Sequence, residues 1–195
     1  TMSRAAVFAA NQGLSGLEFA HGIPGTVGGG VYMNAGAYGG EISQICRTVN
    51  VMDSFGEIHQ RSPEEMDFGY RHSALEQSGE IVISAVFQLK PAPVETVKQQ
   101  MKELQARRSA SQPLDYPSAG SAFKRPAGGY AAALIEQAGL KGYQVGSAAI
   151  SRKHAGFAVN LGGATAEDVR SLLFQVSRQV YQNSGIRLEP EIRIW

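Results

Sequence analysis

Residues able to do chemistry outside strong helical patterns fall in four places along the chain. The first is the stretch from Gly22 to Gly40, which holds eight glycines and one proline between segments of ordinary composition. Glycine costs backbone entropy on folding, so this density implies a backbone that approaches something closely or takes positive φ repeatedly. Main-chain N–H groups presented that way form concavities for anions. The chemistry would be that of a cradle for a nucleotide pyrophosphate; a flexible loop or a tightly packed helical segment is the plainer reading.

The second place is Tyr70-Arg71-His72. Arg71 leaves the apolar, glycine-bent segment Phe68-Gly69-Tyr70, and a guanidinium there can fork onto a carboxylate or an enolate. A surface arginine in a loop is the alternative. The third is Gly120-Ser121, flanked by Ala122-Phe123. Its hydroxyl could donate a proton or hold a ligand, or simply belong to a turn. Residue 123 is Phe, so no Gly-x-Ser-x-Gly elbow exists and triad hydrolysis is unsupported. Lys124-Arg125 just beyond suits a phosphate or diphosphate. The fourth is the end of the chain. Period-two alternation puts Arg187, Glu189, Glu191 and Arg193 on one face and Ile186, Leu188, Ile192 and Ile194 on the other. That face is either a solvated salt-bridge row or the source of one carboxylate for a site.

Composition narrows the partners. The 195 residues are 43% hydrophobic and 18% charged, enough for a sizeable core. The net charge of +1 gives no electrostatic case for nucleic acid or a membrane surface. The single cysteine, Cys46, cannot form an internal disulfide, and the four histidines are scattered without metal-ligand spacing. No apolar run approaches membrane-spanning length and no signal peptide is read, so a cytoplasmic protein with no metal and no obligate protein partner is expected.

The elements that must position these groups read as follows. Ser3 is expected to cap a helix over 4–10, and a short helix follows at 27–33. Residues 48–52 and 57–61 form a hairpin around Asp53-Ser54-Phe55-Gly56. Ser62, Pro63 and Glu65 start a brief helix. Residues 81–89 form a buried strand, and Pro91 and Pro93 mark a boundary before an amphipathic helix over 94–109. Residues 112–117 are extended, 130–138 helical, and 145–150 and 156–160 strands. Thr165 to Asp168 cap a longer helix, and 186–195 form a final strand in which Pro190 argues for an edge. Helices and strands mix without strict alternation, so the fold class is α+β.

Five of these pieces, in order, resemble one family. Gly22-Ile23-Pro24-Gly25-Thr26-Val27-Gly28-Gly29 with Met33-Asn34-Ala35-Gly36-Ala37-Tyr38-Gly39 resembles the flavin-domain signature of the UDP-N-acetylenolpyruvoylglucosamine reductase (UDP-N-acetylmuramate dehydrogenase) family of peptidoglycan synthesis. Phe68 to Ser73 is similar to its Tyr-Arg-x-Ser segment. Gln112-Pro113-Leu114 with Ser118 to Pro126 is similar to its serine-bearing substrate segment. Lys153 to Asn160 and Glu189-Pro190-Glu191-Ile192-Arg193 complete the match.

The resemblance implies the second lobe of a vanillyl-alcohol-oxidase-like FAD-binding domain over 1–90, a connecting helix over 91–108, and a small α+β substrate-binding domain over 109–195, whose last strand (186–195) returns toward the FAD domain. It implies FAD as cofactor, NADPH as reductant and UDP-N-acetylglucosamine enolpyruvate as substrate. Gly22, Ile23, Pro24, Gly25, Thr26, Gly28, Gly29, Asn34, Ala35 and Gly36 fall at cofactor-binding positions. Arg71 and Glu191 fall where the enolate intermediate is stabilised, with Glu191 protonated or orienting a neighbour, and Ser121 falls at the proton-donor position. Tyr70, Arg125 and Arg193 fall at substrate-binding positions. The short spacing from Arg71 to Ser121 resembles the compact subtype. Nothing matches the family's first flavin lobe, so a piece of the enzyme is expected. The rival expectations are a UDP-sugar-binding module without flavin and another oxidase sharing the flavin fold.

Overall fold

A computed structural model describes residues 1–194 in two compact units, Thr1–Arg108 and Ser109–Trp195 by chain position, with Trp195 itself outside the described residues. Both units mix helix and sheet, as an α+β fold requires.

The first unit opens with α1 (Met2–Asn11), whose small residues Ala6, Ala9 and Ala10 are buried together with Met2. Its cap is Thr1, whose hydroxyl accepts from the Arg4 N–H at 3.3 Å. Ser3, the expected cap, sits inside the helix with its hydroxyl 3.4 Å from His21 Nδ1. β1 (Leu14–Ser15) follows, and then α2 (Val27–Tyr32), capped by the Thr26 hydroxyl on the Gly29 N–H. β2 (Gly36–Ala37) and β3 (Gly40–Glu41) form a small hairpin. β4 (Cys46–Met52), β5 (Ile58–Arg61) and β6 (Ile81–Phe87) form an antiparallel sheet in the order β5-β4-β6.

β4 is central, and its Val49 and Val51 are fully buried. The strand expected to be buried, β6, lies at the edge of this sheet. Only one face of that sheet is covered, so Ile81, Ile83 and Val86 remain 59%, 50% and 54% exposed. The expected helix at Ser62 is a single turn. Its box is present, with the Glu65 N–H on the Ser62 hydroxyl and the Ser62 N–H on the Glu65 carboxylate. Asp67, at φ +44°, takes the backbone out of helical conformation before a second turn forms. α3 (Leu75–Ser78) ends on Gly79 in the left-handed region. β7 (Lys90–Pro91) pairs with β1, and α4 (Val94–Ser111) buries Val97 and Met101.

The second unit is a four-stranded antiparallel sheet in the order β8-β11-β10-β9, backed by helices. Its strands are β8 (Ser118–Ser121), β9 (Gln144–Val145), β10 (Ala148–Ile150) and β11 (Phe157–Asn160). α5 (Ala131–Gln137) packs Ala131 and Ile135 into the core. α6 (Ala166–Ser184) turns Leu172, Leu173, Val176 and Val180 inward and starts on a full capping box between Thr165 and Asp168. The single strand read over 145–150 is a hairpin, because Gly146 at φ +55° turns the chain within it.

The final strand expected over 186–195 is not formed among residues 186–194; Trp195 lies outside the described residues. One bridge, Phe123 to Pro190, replaces a ladder. Pro190 lacks an N–H, so the pairing cannot propagate as a regular ladder. The alternation survives only in part: Leu188 is 3% exposed, whereas Ile194 is 47% exposed. Among the described residues no helix is long and apolar enough to cross a membrane.

Candidate functional site

The glycine-rich stretch divides into two kinds of glycine. Gly28, Gly30, Gly36 and Gly40 serve internal packing: a Cβ on Gly30 would lie 2.8 Å from Met2 Sδ, and one on Gly40 would lie 2.5 Å from the Phe19 ring. Gly28 faces Val82, and Gly36 pairs with Glu41 in the small hairpin. Gly22 sits under the Arg108 guanidinium, with its missing Cβ 2.5 Å from Nε.

Gly25 is different. It has φ +132°, a conformation closed to L side chains, yet an added Cβ would meet nothing within 4 Å. Pro24, Gly25 and Thr26 are exposed, and Ile23 packs back against the core. The Gly25 carbonyl accepts the Met2 N–H at 3.0 Å, which ties this loop to the start of α1. An open backbone loop with a glycine-only conformation and no packing reason for it fits a ligand that approaches the main chain closely. On that observation Ile23-Pro24-Gly25-Thr26 fits a flavin dinucleotide, with Gly29 exposed one turn further on. Gly22, Gly28, Gly30, Gly36 and Gly40 pack within the fold, while Gly39, exposed at φ +87°, likewise meets nothing within 4 Å and serves the β2–β3 turn.

Asn34 and Ala35 are buried, at 2% and 8% exposure. The Asn34 side chain reaches into the fold. Its Nδ2 donates to the Gly69 carbonyl at 3.0 Å, and its Oδ1 accepts the Ser43 N–H at 2.9 Å. Asn34 has φ +42°, which asparagine tolerates better than most residues. Two more bonds run between the same segments. The Ser73 hydroxyl donates to the Tyr32 carbonyl at 2.7 Å, and Arg71 Nη2 donates to the Gly36 carbonyl at 3.3 Å. Arg71 is therefore presented from a loop laid along the glycine-rich stretch. Its backbone is left-handed, at φ +54°, and its guanidinium carbon lies 5.0 Å from the centroid of the exposed Tyr70 ring.

Ser121 and Glu191, in the second unit, are brought together by the chain end. The Glu191 N–H donates to the Ala122 carbonyl at 3.0 Å, and the Lys124 N–H donates to the Glu189 carbonyl at 2.8 Å, either side of the Phe123–Pro190 bridge. Ser121 is exposed at the end of β8 and pairs with Phe157, while Ala122 beside it is fully buried. Lys124 pairs with Glu189 across this junction, so of the two basic residues after Phe123 the lysine is already engaged. Arg125 stacks on Tyr130, with its guanidinium carbon 4.4 Å from the ring centroid. Arg193 is exposed.

β8 was not among the expected strands, and Tyr130 was expected only as the start of a helix, not as a partner of Arg125. β8 has little β-branched content, and its only signal is a serine two residues ahead of a turn-forming glycine. Behind β8, His154 meets Phe157 edge-on at 5.0 Å, and its Nδ1 accepts the Gly156 N–H. Burial pushes the His154 imidazole below its ordinary value. Among the described residues no three His, Cys, Asp or Glu side chains are grouped to hold a metal ion.

Family models match a part of each unit. Residues 112–195 match the C-terminal domain of UDP-N-acetylenolpyruvoylglucosamine reductase, and residues 2–62 match an FAD binding domain. A UDP-N-acetylenolpyruvoylglucosamine reductase of Streptococcus pyogenes serotype M5 is 52% identical over 181 residues, covering 93% of this chain and 61% of its own. One from Limosilactobacillus fermentum is 52% identical over 186 residues, covering 95% of this chain and 62% of its own. The chain thus spans about three fifths of the length of these curated relatives. The crystal structure of the Thermus caldophilus reductase superposes with a TM-score of 0.85 at 42% identity, covering 99% of this chain and 70% of that one. The chain belongs to the UDP-N-acetylenolpyruvoylglucosamine reductase family.

Proposed function

We infer that this chain serves the NADPH-dependent, FAD-mediated reduction of UDP-N-acetylglucosamine enolpyruvate to UDP-N-acetylmuramate, a cytoplasmic step of peptidoglycan synthesis that supports cell shape and division. The observation that carries this reading is the junction at which the Glu191 N–H meets the Ala122 carbonyl, one residue from the exposed Ser121 hydroxyl. That the Ser121 hydroxyl and the Glu191 carboxyl group belong to adjoining backbone segments supports a proton-donor role for Ser121 with Glu191 beside it.

Bound FAD would supply hydride relay from NADPH to the enolpyruvyl group. Ile23 to Thr26 and Gly29 would hold it, with Gly25 giving the close backbone approach. The Arg71 guanidinium pairs with the substrate carboxylate, where negative charge develops as the double bond is reduced. Its bond to the Gly36 carbonyl and its contact with Tyr70 limit the conformations it samples before substrate arrives. Ser121 Oγ gives its proton to the carbon next to that carboxylate; a serine hydroxyl is a weak acid, but a strongly basic carbon needs only a positioned donor. Glu191 orients that transfer from the adjoining segment. Arg125 and Arg193 contact the diphosphate, and Tyr70 lines the substrate's approach.

Two titrations test this reading together. The chain is expected to become yellow and retain flavin absorbance after FAD is added and excess removed, and to bind UDP-N-acetylglucosamine enolpyruvate by calorimetry. A colourless chain that still binds the UDP-sugar supports a binding module instead. A flavin-loaded chain with no affinity for the UDP-sugar supports a different oxidase.

A further inference from the structure

β8 changes register against β11 in the middle of its four residues. Before the change, the Asn160 N–H donates to the Pro117 carbonyl at 2.9 Å, and Ser118 lies opposite Val159. After it, Ser121 lies opposite Phe157, and the Ala122 N–H donates to the Gly156 carbonyl at 2.7 Å. Between them Ala119 and Gly120 face Ala158 alone, which is a β-bulge with one extra residue on β8. Gly120 has φ +88°, a value the bulge needs and only glycine adopts without strain.

A bulge normally leaves ladder groups unpaired. Here one side chain takes both. The Ser118 hydroxyl donates to the Ala158 carbonyl at 2.9 Å and accepts the Gly120 N–H at 3.2 Å. A hydroxyl has one proton to give and lone pairs to receive, so the two bonds are compatible. The consequence falls on the next residue. Side chains alternate along a strand, so a one-residue slip exchanges the faces of everything that follows. With the bulge, Ser121 is outward and Ala122 is fully buried. Without it, the register of Ser118 with Val159 would run on, and position 121 would turn toward the core.

We propose that Ser118 is a positioning residue for the reduction. Its hydroxyl holds the Ala119–Gly120 bulge, and the bulge aims the Ser121 hydroxyl outward. This rests on the proton-donor role of Ser121 argued above. Ser118 acts through the backbone, by its bonds to the Ala158 carbonyl and the Gly120 N–H.

The test uses a reporter thiol introduced by Ser121→Cys in the 195-residue chain. Cys46 is buried and reacts slowly, so modification by a soluble disulfide reagent reads position 121. Adding Ser118→Ala should slow that modification by about tenfold or more, while Ser118→Thr, which keeps the hydroxyl, should stay within about twofold. An unchanged rate with Ser118→Ala overturns the proposal. So does loss of the slow-exchanging amides of β10 and β11 in that variant, because Ser118 would then hold the whole sheet rather than one aim. The reading of Ser121 is judged separately. If Ser121→Ala leaves substrate reduction unchanged, the proton-donor role fails, whatever the thiol rates show.

Discussion

The Asn34 carboxamide donates to the Gly69 carbonyl at 3.0 Å, joining the glycine-rich stretch to the backbone two residues ahead of Arg71. With the Ser43 N–H on its oxygen, this buried side chain is fully engaged within the fold. Its position in the flavin signature therefore has a structural reason: it sets where the Arg71 loop begins. Asn34→Ala removes one donor and one acceptor: the Ser43 N–H loses its partner, and the Gly69 carbonyl keeps only the His72 N–H at 3.3 Å. Each such loss costs about 1–3 kcal/mol. The variant should lose stability on that scale in urea unfolding, with faster amide exchange at residues 69–72. Stability within about 0.5 kcal/mol of the parent, the range of a typical surface change, would contradict this assignment.

The two kinds of glycine should separate experimentally. Gly40→Ala drives a methyl group to 2.5 Å from the Phe19 ring, so it should cost about 1–3 kcal/mol of stability through overpacking. Gly25→Ala meets no neighbour, and its cost is the backbone strain of a positive φ, also on the order of 1–3 kcal/mol. Only Gly25→Ala should weaken FAD binding beyond what its loss of stability explains. Paired denaturation and FAD titrations measure both effects, and equal loss of flavin affinity in the two variants would count against the loop as the close-approach site.

Glu80 should make the first unit acid-sensitive. Its buried carboxylate takes Arg61 Nε at 2.7 Å and Nη2 at 3.0 Å, with His59 and Ser78 also bonded to it. Hydrogen bonding from Arg61 holds it below the usual carboxylate range. A carboxyl lowered in the folded state contributes stability above its unfolded value, about 4.3, and loses it as pH falls through the folded value. Glu80→Gln should therefore cost about 2 kcal/mol near neutral pH. That difference should shrink steadily as pH is lowered below about 4. A constant difference at every pH would show that the ion pair is not responsible.

His154 carries the same logic to a higher pH. Burial lowers its folded-state value, so the unfolded chain binds the proton first as pH falls below about 6.5. The second unit should lose stability between about pH 7 and pH 5, and His154→Gln should flatten that slope. Urea midpoints at several pH values, followed through the amides of β10 and β11, give the comparison. A slope untouched by the substitution would assign the titration elsewhere.

Much of this fold was legible because local signals and tertiary packing agreed. The Thr165 to Asp168 box and the apolar stripe of α6 both pointed to one helix, and the hairpin around Asp53 to Gly56 carried its own turn chemistry. The signals misled where packing or covalent geometry decided. β6 has the β-branched content of a buried strand, but its edge position leaves three of its residues half exposed. Residues 186–194 alternate like a strand, yet Pro190 cannot continue a ladder. The glycine density was visible, but its meaning was mixed. Half of these glycines fit around Met2, Phe19, Val82 or Arg108, contacts that no local pattern encodes. The bulge in β8 depends on pairing with β11, about 40 residues away, and was not readable from Ser118 and Gly120 alone.

Rapid-mixing kinetics of the two half-reactions in Ser121→Ala, against the parent chain, most directly tests the assignment of reduction to this site. With FAD, NADPH and UDP-N-acetylglucosamine enolpyruvate supplied, reduction of the flavin by NADPH should be nearly unchanged. Transfer to the substrate should slow by about 10²–10⁴-fold, the range of a lost general acid. Substrate reduction at the parent rate would contradict the role of Ser121 and the function built on it.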